Sequence, residues 1–248
     1  MPWYKQTAIW GLIISTFALT LSQMPPIGRW LAVNKLSTTV GSRIGLPNTL
    51  GVQGVQLFLD ISNTGNRTLN ISKIRLEVKG PNSSTLEVKA QTYAKILSGQ
   101  AQPIDFPITS VSLNPGANWS ELVSFYPDFT PTQEEKINSI RLRVSQSIFA
   151  KQQARGGQFG PLVEAEELLV QEAKQFFNNN FNLEKGSYTV MVKCESNGIE
   201  TLLKTMSFTL YDYHLVTLKS QADDFKYGAG IFFPTNQPKQ IWALNEVQ

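Results

Sequence analysis

The sequence predicts a mainly β protein: an antiparallel sandwich of stacked sheets with one inserted α-helix, preceded by a hydrophobic N-terminal helix. Three observations carry this reading. From Val55 onward, apolar and polar residues alternate in short runs, the period-two pattern of half-buried strands. Turn-forming clusters such as Asn63-Thr64-Gly65-Asn66 and Gly80-Pro81-Asn82-Ser83 separate those runs. Residues 8–21, AIWGLIISTFALTL, carry no charge.

With 248 residues, 42% hydrophobic and 17% charged, the chain can bury a substantial core, which excludes wholesale disorder. One Cys excludes a disulfide framework within the chain, and one Cys with one His excludes an all-Cys/His zinc site. The net charge is +3, but the first 59 residues hold Lys5, Arg29, Lys35 and Arg43 and no acid. The remainder is therefore slightly acidic, which argues against a nucleic-acid face on the body.

A 14-residue apolar run suits a signal-peptide core better than a full span. Counted from Trp3 to Met24 it reaches a spanning length if Lys5 snorkels. Trp3, Tyr4 and Trp30 would then anchor at the interfaces, and Pro25-Pro26 would end the helix. The expectation is an uncleaved signal anchor over 1–31, with membrane contact through 8–21. A cleaved signal peptide and a buried core helix are the alternatives. The Ser/Thr/Asn-rich body is placed outside the cytoplasm, in a periplasm or at a cell surface. Residues 32–54, rich in Gly, Ser and Thr, read as a linker or a loosely held edge segment.

The β domain is expected over 55–220. Val55, Leu57, Leu59 and Ile61 share one face of the first strand. In the next, Leu69 and Ile71 are out of phase with Ile74, Leu76 and Val78, which predicts a bulge near Ser72-Lys73. Further strands are expected at 85–92, 104–112, 119–126 and 138–148, with a turn at Pro115-Gly116. In 138–148, Ile140, Leu142 and Val144 alternate with Arg141, Arg143 and Ser145. Thr130-Pro131-Thr132-Gln133 reads as a short helix start: Thr as N-cap, Pro at the first position, Gln three after the cap. The inserted helix is expected at about 161–178, opened by Pro161. Its apolar stripe is Leu162, Ala165, Leu169, Ala173 and Phe176, widened by Leu168 and Phe177.

After that helix comes Leu183-Glu184-Lys185-Gly186-Ser187-Tyr188, ahead of an alternating strand. Leu-x-x-Gly-x-Tyr in this setting resembles the tyrosine corner of immunoglobulin-like and fibronectin-type β-sandwiches. The resemblance implies that Tyr188 bonds back to nearby backbone at a sheet corner. It also implies that 188–194 and 202–210 are the last two strands. It is a fold-level likeness and carries no function. The bridge that antibody domains form has no second Cys here.

Residues 221–248 form an aromatic-rich extension, with a hairpin expected from 213–219 and 226–233, closed by a Gly228–Gly230 turn. Tyr211, Tyr213, Phe225, Tyr227 and Trp242 are the candidate partner-binding residues, since Tyr and Trp anchor protein interfaces. Strand alternation puts Tyr211 and Tyr213 on one face.

Candidates for chemistry are sparse. His214 reads as a partly exposed strand residue, and no G-x-S-x-G elbow accompanies it. Cys194 is in phase with Tyr188, Val190 and Val192, so it faces the core as an inert thiol. No carboxylate pair is formed by local spacing, and no cofactor or metal motif occurs. The leading functional reading is a membrane-anchored, extracytoplasmic, non-catalytic protein-binding or structural component of an envelope or cell-surface assembly. A carbohydrate-binding or adhesive module is the alternative, using Trp119, Tyr126, Tyr211, Tyr213 and Trp242. An extracytoplasmic hydrolase is the third.

Overall fold

The computed structural model describes residues 3–23, 34–82, 84–95, 103–156, 162–231 and 241–244. Pro25-Pro26, Arg29, Trp30, Pro161, Phe232 and Phe233 lie outside them, as do the side chains of Trp3, Tyr4 and Trp242. Helix α1 spans Trp3–Gln23. The strands are β1 Leu36–Leu46, β2 Asn48–Thr49, β3 Val52–Gln53, β4 Val55–Asn63, β5 Leu69–Lys79, β6 Thr85–Lys95, β7 Ile104–Pro107, β8 Val111–Leu113, β9 Asn118–Tyr126, β10 Gly186–Ser196, β11 Ile199–Leu210 and β12 Ile241–Leu244. Helices α2 (Pro131–Ala154) and α3 (Glu167–Asn180) lie between β9 and β10. Helix α4 (Asp212–Lys219) and a 3-10 helix (Ser220–Tyr227) follow β11.

Ten strands form one sheet along the path β11-β10-β5-β6-β9-β4-β1-β12, with β7 on β6 and β8 on β5. The described ladders are antiparallel. The two ends of the path return toward each other, so that β1 and β12 both lie against β11. The shape is barrel-like. Its interior is the predicted alternation made real: Leu57, Leu59 and Ile61 of β4, Leu76 of β5, Val123 of β9, Val190 of β10 and Phe208 of β11 share one buried cluster.

The expected bulge is present. Glu195 pairs with Lys73 and Ser196 with Ile71, which leaves Ser72 as the extra residue. It turns outward and its hydroxyl donates to the Glu195 carbonyl at 3.2 Å. This lets the buried set change phase between Ile71 and Ile74 without exposing either. The corner residue behaves as the resemblance implies: Tyr188 Oη donates to the Glu184 carbonyl and accepts from the Glu184 N–H, both at 2.9 Å. The fold supports a β-rich class with a large antiparallel sheet and several helices.

Within the stretch expected as a spacer or edge, 36–46 form β1, paired to β4 on one side and β12 on the other. Three residues, Gly41 to Arg43, face only Phe58 between the Val40–Leu59 and Ile44–Leu57 pairs. The β2–β3 hairpin then presses into a second core. A Cβ on Gly51 would meet the Phe177 carbonyl oxygen at 2.2 Å, and φ there is +90°, so only glycine fits.

The 138–148 segment is not a strand. It lies within α2, whose buried residues Ile137, Ile140, Val144, Ser147 and Ile148 follow three-to-four spacing. Leu142, apolar but on the far side of the helix, is 59% exposed. The cap residues read from sequence do start this helix: Gln133 N–H donates to Thr130 Oγ1 at 3.2 Å, and Gln133 Oε1 accepts from Thr130 N–H at 3.0 Å. The short apolar–basic alternation mimics a strand, but the longer run from Ile137 to Ile148 buries residues at helical spacing.

The inserted helix starts later than expected, at Glu167. Backbone groups of 164–166 are taken elsewhere: Glu164 O accepts from Lys151, Ala165 N–H donates to Lys226 O, and Glu166 N–H donates to Ser147 Oγ. The buried face is Val170, Ala173 and Phe177, and Leu168 is 78% exposed. The hairpin expected over 213–233 is replaced by α4 and the 3-10 helix. His214, Leu218, Ala222 and Phe225 are the buried residues there, at helical rather than alternate spacing.

These faces separate two positions that a strand would make equivalent. Ile140→Ala is expected to cost about 2–5 kcal/mol, the range for emptying a buried site. Leu142→Ala should change stability by less than about 0.5 kcal/mol. Urea unfolding of the two variants measures both; equal losses would contradict the helix.

Candidate functional site

Two surfaces bring candidate side chains together. The first lies at the start of α4. Tyr211 and Tyr213 are 50% and 63% exposed, and their rings stack 5.9 Å apart with planes 7° from parallel. The pairing predicted from strand alternation is present for another reason. Tyr211 is the N-cap and Tyr213 the second residue of the helix, and His214 holds them. Its Nδ1 accepts the Tyr211 N–H at 3.2 Å, and its ring lies 4.0 Å from that of Tyr213. Val216, 67% exposed, extends the apolar surface. Lys185 and Asp212 pair at its margin, 2.6 Å apart.

Phe225 and Tyr227 do not join this surface. Phe225 is 2% exposed and packs edge-on against Phe177, so it belongs to the second core. Tyr227 hydrogen-bonds Glu164 and carries Lys226 over its ring at 4.7 Å. Glu164 also pairs with Lys226 at 2.6 Å, and these two contacts hold its carboxyl below the usual range. Tyr227 thus ties the 3-10 helix to the segment before α3. Trp242 sits in β12, opposite Gly45. Of the glycan candidates, Trp119 packs edge-on against Tyr93, and Tyr126 lies elsewhere, in the cleft below.

The two candidate nucleophile–base residues are engaged in packing. Cys194 is in the barrel interior, where burial, with a smaller contribution from Glu200, pushes its thiol up to about 11. His214 is a buried helix residue rather than a partly exposed strand one. Burial lowers the pKa of its imidazole.

The second surface was not legible in the sequence. A cleft of about 340 Å³ opens between α2, the β2–β3 corner and strands β6, β7 and β9. Asp105 reaches it from β7, Tyr126 from the end of β9, and Glu134, Asn138 and Arg141 from α2. The three α2 residues recur at i, i+4 and i+7, one helix face. Gln91, also on the wall, is the extra residue of a bulge between Ala90 and Thr92 of β6, a feature that re-aims a side chain. Burial and then the negative charge of Asp105 push the Tyr126 phenol up to about 12, so it stays a neutral donor. The helix signal would have been found by extending α2 from its capping box; Asp105 and Tyr126 come from distant strands and leave no local pattern. Among the described residues no group of three His, Cys, Asp or Glu is arranged to hold a metal ion.

No family model matches the chain, and no curated protein matches it. Among solved structures, the crystal structure of Spo0M, a sporulation control protein from Bacillus subtilis, aligns with 11% identity and a TM-score of 0.26. The alignment covers 76% of this chain and 56% of that one. The chain thus spans little more than half of that protein's length, and a likeness this weak carries no functional argument.

The depressed His214 pKa has a sign that can be measured. The unfolded chain binds the proton more readily, so stability is full above about pH 6.5, the ordinary histidine value. It falls as the pH drops below that toward the lower folded value. Tm followed from pH 7.5 to 5 should show this loss, and His214→Gln should reduce it. An unchanged pH dependence in the variant would assign the loss to other groups.

Proposed function

We propose that the chain is a membrane-anchored binding protein, with α1 in lipid and an extracytoplasmic β body that offers the Tyr211–Tyr213 surface to a protein partner. The observation that carries the anchor is the surface of α1. Ile9, Trp10, Leu12, Ile13, Ile14, Phe17 and Leu19 are all at least half exposed. Burying each such side chain is worth about 1.5–3 kcal/mol, so this surface favours an apolar medium. The helix makes few polar demands there. Ser15 and Thr16 hydroxyls donate to the Leu12 carbonyl at 3.0 and 2.8 Å, Thr20 to that of Phe17 at 2.9 Å, and Ser22 to that of Leu19 at 2.8 Å. Internally satisfied hydroxyls are cheap to place in hydrocarbon.

Among the described residues, no helix is long and apolar enough to cross a membrane. The 14-residue apolar run covers about 21 Å, against a hydrocarbon thickness of about 30 Å. An anchor of this length relies on its polar flanks reaching the headgroups and on local thinning of the bilayer.

Partner binding rests on the paired tyrosines, which are exposed yet held rigid by His214. Rigid aromatic area loses little entropy on binding. The same near-parallel rings favour a second reading, a glycan-binding or adhesive surface, since sugar rings stack on aromatic faces. Engagement of His214 and Cys194 in packing gives the hydrolase reading no support.

Flotation with phosphatidylcholine vesicles tests the anchor. The full-length protein should float, and the double variant Leu12→Asp/Phe17→Asp should remain in the load. Equal flotation would refute it. For the surface, affinity purification from solubilised membranes should recover a second chain with the wild type and lose it with Tyr211→Ala/Tyr213→Ala. Retention of that chain by the variant would remove the surface from the interface. A glycan-array signal that is lost with the same variant would instead establish the second reading.

A further inference from the structure

We infer that the cleft between α2 and the β6–β7 edge binds a short peptide through its free amino and carboxyl ends. This does not depend on where α1 resides. It rests first on which charges have no protein partner among the described residues. On α2, Lys136 and Arg143 both engage Glu172 of α3. Beside the cleft, Lys89 of β6 engages Asp128. The cleft-facing groups do otherwise: Asp105, Glu134, Asn138 and Arg141 are exposed to solvent, and among the described residues their side chains make no protein hydrogen bond or ion pair.

The signs of those charges define the ligand. Two carboxylates and one guanidinium are matched by a molecule carrying both an ammonium and an anion. A phosphate or a nucleic-acid backbone would gain Arg141 but meet Asp105 and Glu134. The guanidinium fork suits a carboxylate, which it can hold by two parallel hydrogen bonds. An ammonium is satisfied by the carboxylates, with the neutral Tyr126 hydroxyl as an added acceptor.

Spacing sets the length. Glu134 and Arg141 lie seven residues apart along one helix, about 10.5 Å at 1.5 Å per residue. Three extended residues span about 10 Å. A cleft of about 340 Å³ is at the small end of ligand sites and suits that size. Asn138 lies between the two charged ends of the helix face, where its amide can pair with a peptide group. A Cβ built on Gly54 would come within 2.5 Å of the Tyr126 ring, so the Gly54 backbone lies against one side of that ring, and Phe129 packs onto the second core.

Calorimetric titration of the detergent-solubilised full-length protein with trialanine tests this. Trialanine should bind, and trialanine blocked at both ends should bind at least tenfold more weakly. Arg141→Gln should make the free-acid and amide forms bind equally. Asp105→Asn/Glu134→Gln should make the free and acetylated amino ends bind equally. Because these side chains are exposed and make no hydrogen bond or ion pair among the described residues, both variants should keep the wild-type circular dichroism and Tm. Absence of trialanine binding, or equal binding of the doubly blocked form to the wild type, would overturn the proposal. So would binding that neither variant alters.

Discussion

One apolar interior, covered from all sides by a single sheet that curls until its two ends meet, governs the rest of the molecule. Ile44 of β1, Val78 of β5 and Leu210 of β11 are distant in sequence but share that cluster. A strand has only two faces, so each must keep its apolar set in one phase or correct it. The corrections are visible as one-residue bulges: Ser72 in β5 and Gln91 in β6. Each adds a residue to one strand of a pair and returns the next apolar residue to the inside. The β10–β11 hairpin closes tightly through Asn197-Gly198, both at positive φ, as two-residue hairpins require. The second core is subordinate to this one. It forms where α2 and α3 cover the β2–β3 corner, with Phe177 at its centre, in ring contact with Phe181 and Phe225.

The parts legible in sequence were those fixed by neighbours along the chain. The phase change around Ser72, the Thr130 capping box and the Tyr188 corner each depend on a few consecutive residues, and each is found where it was expected. The rest depends on partners far away. Ile140, Leu142 and Val144 alternate over five residues, yet their faces are decided by α3 and the β2–β3 corner, which leave Leu142 outside. Pro161 and the acidic residues after it look like a helix start. Ser147, Lys151 and Lys226 hold the 164–166 backbone extended, so the helix waits until Glu167. The C-terminal aromatics looked alike in composition but have three different fates: Tyr211 and Tyr213 outward, Phe225 inward, Tyr227 bound to Glu164.

The same contrast runs through the functional surfaces. The Tyr211–Tyr213 pair was legible because its members are two residues apart, although a helix cap rather than a strand sets their geometry. The cleft was not, because Asp105, Tyr126 and the Glu134–Arg141 face meet only after the sheet and α2 have packed. Both surfaces sit on rigid supports, one on a helix start fixed by His214 and the other on a helix face and a bulged strand. Sites placed on such elements lose less freedom when a ligand arrives than sites on loops.

The curled sheet, and not the helical layer, holds the molecule together. Native-state hydrogen exchange of the full-length protein tests this most directly. The amides of β4, β5, β9 and β10 should be the last to exchange, and should share one opening free energy despite their separation in sequence. If the amides of α2 outlast them, or if β10 opens independently of β4, the interior is not the single cooperative unit described.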